Sequence, residues 1–383
     1  METEHEPKQQ NKTHAFLTFS AWRVILFGAA FTVVLAAYFL GPALWCGFGA
    51  GQSNAFHYSD GALAVHYLDV GQGDAIVVQL PDGRVVMIDC GTVFYYTRVK
   101  TYLTTRILTG NGAAGRKIDF LIATHSHDDH VGGFPQLLAD FDVDTVYRPH
   151  NRCADEPDAN AAGPAADAEP YARFIAAAYA HAREIKFILA GETIDSFNYV
   201  MYFHTPTPEF ISGLSAKVSQ DFNDISPIIS LRHENRCFIF TGDAGEKAEN
   251  RFRSDAYALW IDENFGFENL DVYLKVGHHA SKTSSTMDFL DFVKPNKAII
   301  CVGARNNFGH PNADTVRRLE IAIGGRPEDI METSRLGNIV FLAEGGNERT
   351  VFAFDNEPDM SLVYVLASAV LLVVCFVNFR VAR

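Results

Sequence analysis

Asp119-Phe120-Leu121-Ile122-Ala123-Thr124-His125-Ser126-His127-Asp128-Asp129-His130 runs from an apolar, β-prone stretch straight into four potential metal ligands in the order His-x-His-x-Asp-His. The run after it, Val131 to Asp140, opens with Gly132-Gly133 and then reads as a helix. The ligand cluster is therefore expected on a strand-to-helix loop, where the backbone can turn several side chains toward one point. Imidazole suits zinc, manganese or iron, and a carboxylate suits the harder end of that series. One metal needs three or four ligands, and a second at about 3.5–4 Å needs further ligands and a bridging group. A solvated polar loop is the bland alternative, and it leaves the density of ligand types unexplained.

Working outward, other strand ends carry matching chemistry. Phe238-Ile239-Phe240-Thr241-Gly242-Asp243 places Asp243 after an apolar strand and before a helix. An Asp there can cap the helix, or it can give one oxygen to each of two metals. Leu274-Lys275-Val276-Gly277-His278-His279 ends another strand in two histidines. One of them can complete a second metal and the other can line the pocket. Asp89 ends Val85-Val86-Met87-Ile88, where a buried carboxylate can orient ligating imidazoles.

The rest of the middle block alternates short strands and helices. Strands are expected over 63–70, 75–80, 84–89, 184–189, 199–204, 225–232, 237–241, 272–276, 297–302, 339–343 and 350–354. Helices are expected over 94–108, 171–183, 246–253, 286–292 and 312–323, and residues 155–168, rich in Ala, Asp, Pro and Gly, as a surface excursion. This is an α/β pattern of sheets covered by helices.

The chain has 383 residues and a formal net charge of −14, which argues against a basic coat for duplex DNA. No Cys-x-x-Cys pair occurs, so a zinc knuckle is not expected, whereas disulfides among Cys90, Cys153, Cys237 and Cys301 remain open. Residues 1–20 are polar and read as a disordered cytoplasmic segment. Uncharged apolar runs at 24–48 and 360–379 are long enough to cross a hydrocarbon core of about 30 Å. The expected domains are a transmembrane helix within 21–48, a globular block over 59–357 and a second transmembrane helix over 360–379. Lys8, Lys12 and Arg23 precede the first run and Arg380 and Arg383 follow the second. The positive-inside rule then puts both termini in the cytoplasm and the globular block outside the cell membrane.

The stretches "HSHDDHVGG", "FTGDAG" and "GHH" resemble the metallo-β-lactamase fold, and "LDVGQGDAIVVQLPDGRVVMIDCG", "LKVGHHASKTSS", "NDISPIISLR" and "NNFGHP" narrow the match. Together, in this order, they resemble the metallo-β-lactamase-like domain of the DNA-internalisation competence protein family ComEC, from about Ala62 to Phe354. The resemblance implies a four-layer αββα sandwich, here flanked by one N-terminal and one C-terminal transmembrane helix. It also implies two divalent metal ions, zinc or manganese. Site one takes His125 and His127, site two takes Asp129, His130 and His278 (or His279), and Asp243 bridges. The wider pattern has a third site-one His before the bridging Asp. His150, His204 and His233 lie in that interval outside any clear motif, and Asn223, Asp224 and Ser226 stand there instead, so site one is expected open or completed by water. The family's Gly after the paired histidines is Ala280 here.

For catalysis, Asp129 is expected to orient water and His279 or His310 to stabilise a leaving group. Lys282, Thr283, Ser284 and Ser285, with Asn223 and Asn306, are the expected substrate-binding residues, and Asp89 orients the ligands. The implied activity is a membrane-tethered phosphodiesterase or nuclease on extracytoplasmic DNA, preferably single-stranded, with the lipid bilayer and membrane proteins as partners. Two alternatives are a hydrolase of a lactam, lactone, thioester or small phosphodiester, and a non-catalytic accessory of a DNA-uptake complex.

Overall fold

Alternation of buried side chains along short strands builds the molecule. The computed structural model describes residues 61–109, 117–150, 168–213, 219–254, 270–344 and 347–353, all within one compact unit, residues 54–355. Strands β1 (Leu63–Tyr67), β2 (Ile76–Gln79), β3 (Val85–Ile88), β4 (Lys117–Ile122), β5 (Asp142–Arg148) and β6 (Glu184–Phe187) begin the first sheet. Strands β7 (Thr193–Ser196), β8 (Tyr199–Phe203), β9 (Ile229–His233), β10 (Arg236–Phe240), β11 (Asp271–Lys275), β12 (Lys297–Ile300) and β13 (Ile330–Glu332) form the second. The chain then returns to the first through β14 (Asn338–Glu344) and β15 (Asn347–Ala353). The sheet orders are β15-β14-β1-β2-β3-β4-β5-β6 and β13-β12-β11-β10-β9-β8-β7.

Successive residues point to opposite faces of a strand. Leu63, Val65 and Tyr67 of β1 therefore join Val78, Val86 and Ile122 in a central layer with Met201, Phe203, Leu231, Phe238, Phe240 and Tyr273 of the second sheet. The intervening residues Val77, Met87 and Leu121 face outward, onto Val99, Leu137 and Phe174 from helices Tyr96–Tyr102, Phe134–Asp140 and Ala168–His181. On the far side Ile239, Leu274 and Ile300 pack on Phe252, Phe289, Leu290 and Leu319 from helices Glu246–Phe252, Met287–Val293 and Ala313–Ala322. Each large side chain buried this way contributes about 1.5–3 kcal/mol relative to exposure. The result is an α/β sandwich of two sheets with helices on both outer faces.

The expected strands form with two groups of exceptions. The edge strands β7 and β13 are short, and β5 carries Asp142 and Asp144 among its apolar residues, so no clean period marks them. They form because β5 pairs in parallel with β4 and β6, and β13 with β12. The continuous helix expected over 94–108 is a 3-10 turn, an α-helix over Tyr96–Tyr102 and a π turn over Leu103–Ile107. The Thr104 and Thr105 hydroxyls donate back to the Lys100 and Thr101 carbonyls, which loosens the regular ladder. Cys90, Cys237 and Cys301 are buried free thiols; Cys153 lies outside the described residues.

The expectation of a chain that spans the membrane twice, with cytoplasmic termini and an extracytoplasmic domain, is corrected. Among the described residues no helix is long and apolar enough to cross a membrane. The longest, Ala168–His181, has 14 residues, or about 21 Å at 1.5 Å each, and it buries one face, Tyr171, Phe174 and Ala178, on the first sheet. The runs 24–48 and 360–379 lie outside the described residues, as do residues 1–20 and most of the excursion expected over 155–168.

What the fold positions is one rim. Strands β3 and β4 run parallel in one sheet, and β10, β11 and β12 in the other. The loops that leave their C-terminal ends carry Asp89, His125–His130, Asp243, His278–His279 and His310, an arrangement typical of ligand sites on open α/β sheets.

Candidate metal centre

The imidazoles of the first loop are tied back on one side and presented on the other. Asp89 sits in the left-handed region at φ 56°, and its carboxylate accepts the Thr124 amide at 2.8 Å, the Thr124 hydroxyl at 2.7 Å and His130 Nδ1 at 2.7 Å. The His130 proton is therefore placed on Nδ1, and Nε2 faces the rim. His279 Nδ1 donates to the Cys301 carbonyl at 2.8 Å, which turns its Nε2 the same way. His125 Nδ1 lies 3.1 Å from the Thr124 hydroxyl, and its Nε2 lies 3.0 Å from His127 Nδ1.

These nitrogens converge on carboxylates. His130 Nε2 is 3.2 Å and His279 Nε2 is 3.5 Å from Asp243 Oδ1, and His279 Nε2 is 3.3 Å from Asp129 Oδ2. Among the described residues three groups have all their ligand atoms within 4.8 Å of one another: His125 with His130 and Asp243, Asp129 with His130 and His279, and Asp74 with Asp89 and His130. His130 Nε2, His279 Nε2 and Asp243 Oδ1 are buried without a hydrogen-bond partner. Buried polar atoms are ordinarily satisfied, so three orphans aimed at one point fit a cation. The mixed imidazole and carboxylate donors are those of divalent metals.

Charges this close shift one another. Burial alone would lower the pKa of His130 and His279, but Asp243 and its neighbouring carboxylates raise the first well above its ordinary value and lift the second to about 10. Against burial, His130 and His279 hold Asp129 at about 2, and His279, His130 and His278 keep Asp243 well below the ordinary range. A cation entering here takes the place of protons on His130 and His279.

Two buried residues escaped the reading of motifs. Asp74, in Gly71-Gln72-Gly73-Asp74, has its carboxylate ion-paired with Lys275, 3.4 Å from His279 Nδ1 and 3.8 Å from His130 Nδ1. Lys275 is 0% exposed; its ammonium also donates to the Gly242 carbonyl at 2.8 Å and lies 3.9 Å from Asp243 Oδ1. The available signal was a lysine inside an otherwise apolar strand end, next to a Gly-rich turn that ends in Asp. Gly73 is required there: at φ 140°, a Cβ would fall 2.3 Å from the Asp129 carbonyl.

The paired histidines occupy a turn with three consecutive left-handed residues, His278 (φ 47°), His279 (φ 51°) and Ala280 (φ 64°). A non-glycine residue there is strained by about 1–2 kcal/mol, which explains why the family pattern has Gly at the position of Ala280. His279 is the member of the pair placed with Asp129 and His130, whereas His278 stands toward solvent with its side chain 21% exposed. The His310 ring is 5.6 Å from that of His278 and 6.4 Å from that of His279. The buried Asn223 has Nδ2 3.4 Å from both His278 ring nitrogens.

Of the expected substrate-binding residues, Lys282 and Thr283 are exposed, but Ser284 and Ser285 are buried, and the Ser284 hydroxyl donates to the Gly277 carbonyl at 2.6 Å. Asn306 braces its own loop: its amide donates to the Gly303 and His310 carbonyls and its oxygen accepts the His310 amide.

Glu249 holds this loop from beneath. Its carboxylate accepts the amides of Ser285 and Thr286 and the Thr286 hydroxyl, and burial pushes its pKa up from 4.5 to about 7. A folded pKa above the unfolded one means that this contribution to stability is complete below about pH 4.5 and is lost as the pH rises to 7, by about 3 kcal/mol at most. Glu249→Gln cannot ionise, so its melting temperature relative to wild type is expected to rise between pH 4.5 and 7. A difference that stays flat across that range refutes this account.

Residues 68–218 match the metallo-beta-lactamase superfamily. ComE operon protein 3 of Bacillus subtilis (strain 168) is 26% identical over 268 residues, 67% of this chain and 30% of that protein. Competence protein ComA of Neisseria gonorrhoeae is 25% identical over 277 residues, 72% of this chain and 32% of that protein. The chain thus spans about a third or less of the length of the curated relatives it matches. Among solved structures, CmlA, a diiron beta-hydroxylase from Streptomyces venezuelae, is 14% identical with a TM-score of 0.39, covering 76% of this chain and 54% of that one. The two-sheet sandwich and its rim of histidines and carboxylates agree with the match over residues 68–218: the fold is metallo-beta-lactamase-like, and the chain is similar to competence proteins of the ComEC family.

Proposed function

We propose that the chain is a metal-dependent phosphodiesterase that cleaves DNA, with a single strand preferred over duplex, and that zinc or manganese is its metal. The observation that carries this reading is the set of orphaned ligand atoms of His130, His279 and Asp243, buried at a rim that solvent reaches at the side chains of Asp129 (27% exposed) and His278 (21%). That opening is where a substrate meets the centre. When bound, a divalent cation brings the pKa of water toward neutrality and stabilises charge on a phosphoryl oxygen. The similarity to competence proteins supports DNA as the substrate class.

The chain's own groups supply the rest. The Asp129 carboxylate, ionised at neutral pH, accepts a hydrogen bond from the attacking water and orients it. His279 is committed to Asp129 and Asp243 through Nε2, so stabilising the leaving group falls to the half-buried His310. Burial and the nearby His278 and His279 lower its pKa, which leaves a neutral ring able to donate one N–H. Lys282 and Thr283, exposed just after the paired histidines, offer a charge and a hydroxyl to a phosphate. A net charge of −14 gives no broad grip on a rigid duplex, whereas a flexible strand can bring one phosphate at a time to the rim.

The test is cleavage of labelled single- and double-stranded oligonucleotides by the full chain with manganese or zinc. Chelator-sensitive scission, faster on the single strand, is expected. A metal-loaded chain that leaves oligonucleotides and simple phosphodiesters uncut yet opens a lactam, lactone or thioester overturns this function in favour of small-molecule hydrolysis.

A further inference from the structure

Site one lacks a third imidazole at the place where the wider pattern has it. The described histidines between His130 and Asp243 are committed elsewhere. His150 stacks on Phe187 with ring centroids 4.1 Å apart, and His204 Nε2 lies 2.7 Å from the Ser230 hydroxyl. His233 Nδ1 donates to the Asn198 carbonyl at 2.9 Å, and His181 is exposed at the end of its helix. Among the described residues His125 forms a close ligand group with His130 and Asp243 alone, so a further imidazole has to reach it by way of Asp243.

The two oxygens of Asp243, however, face two different sets of nitrogens. Oδ1 faces His130 Nε2 at 3.2 Å and His279 Nε2 at 3.5 Å. Oδ2 faces His125 Nε2 at 3.8 Å and His278 Nε2 at 3.7 Å, and His125 Nε2 in turn is 3.0 Å from His127 Nδ1. Two donors at about 2.0–2.2 Å from one tetrahedral cation are about 3.4 Å from each other. The His125–His127 separation and the approaches of His125 and His278 to Asp243 Oδ2 lie within a few tenths of an ångström of that value, while His125 also stands in a tighter group with His130 and Asp243. The left-handed turn makes the split possible. Consecutive residues at φ 47° and 51° splay the His278 and His279 rings to centroids 6.2 Å apart and planes 71° apart, so each ring addresses its own oxygen. The Asn223 amide nitrogen lies beside the ring, 3.4 Å from each His278 nitrogen.

We infer that His278 is the missing third imidazole. His125 Nε2, His127 Nδ1, His278 Nε2 and Asp243 Oδ2 form one divalent-cation site, and Asp129, His130, His279 and Asp243 Oδ1 form the other. One turn thus supplies a ligand to each metal, and site one is closed by protein rather than left open. The inference rests on the metal-centre reading but not on the identity of the substrate.

The experiment counts metal rather than turnover. The full chain, H278A, H127A, H279A and the H127A/H278A pair are titrated with Mn(II) and with Zn(II), bound equivalents are counted by native mass spectrometry, and circular dichroism checks the fold. H278N is added because Asn tolerates the left-handed backbone, which separates ligand loss from misfolding. Wild type is expected to bind two equivalents. H278A and H127A each keep one and bind the second at least tenfold more weakly, the pair loses no more than either single variant, and H279A weakens the other equivalent. If H278A holds two equivalents with wild-type affinity, even with turnover lost, the inference is overturned and His278 is a substrate contact. A wild type that saturates at one equivalent also overturns it. A wild type that binds none overturns the metal-centre reading itself.

Discussion

Asp243→Asn is expected to lower metal-dependent turnover by roughly a thousandfold or more, the rate equivalent of about 4 kcal/mol. Four imidazole nitrogens, from His125, His130, His278 and His279, stand within 3.2–3.8 Å of its two oxygens. An amide keeps one of those oxygens and replaces the other with an N–H donor, so one set of nitrogens meets a donor where it needs an acceptor. The carboxylate charge that offsets the cations is lost as well. The measurement is kcat on a DNA oligonucleotide at saturating metal, with the variant's far-UV dichroism compared to wild type. A correctly folded Asn variant within tenfold of wild-type turnover would show that Asp243 is a helix-start residue and not a bridge.

Lys275→Met is expected to be the largest single loss of stability at the rim, about 3–5 kcal/mol, which for a domain of this size is roughly 10 °C in melting temperature. The chain of Met matches the lysine stem in length, so packing is nearly kept and the loss is electrostatic. Without the ammonium, the buried Asp74 carboxylate is left with the His130 and His279 imidazoles as its counter-charges and with the Asp89 carboxylate nearby, and the Gly242 carbonyl loses its 2.8 Å donor. Burial alone would lower the lysine pKa; Asp74 and Asp243 raise it above its ordinary value and hold the ammonium charged. Asp74→Asn in the Lys275→Met background is expected to restore most of the loss, because the uncompensated charge is then gone. Thermal unfolding of the single and double variants decides it. A single variant that melts within 2 °C of wild type, or a double variant that melts lower still, removes the pair from the account.

The loops that meet at the rim were legible in the sequence because the signal is local. An apolar run sets a strand, a Gly or a polar cluster ends it, and His125 to His130, Asp243 and the His278-His279 pair each stand at such an end. Asp89 was legible for the same reason, as a carboxylate directly after Ile88 of β3. An α/β body of sheets covered by helices followed from the strand and helix periods, whereas its division into two facing sheets was implied by the family resemblance and is set by the packing. What the sequence could not settle depends on contacts between distant segments. Asp74 and Lys275 belong to no ligand motif, and only the closed sandwich makes each the other's counter-charge. Ser284 and Ser285 read as substrate donors, but the helices around them bury both. Strands β5, β7 and β13 exist because a neighbouring strand offers hydrogen bonds, not because their own residues alternate. The division of labour between His278 and His279 was beyond any motif. Adjacent identical side chains carry no sequence difference, and only the left-handed turn, imposed by the ends of β10, β11 and β12, sends one ring to each oxygen of Asp243.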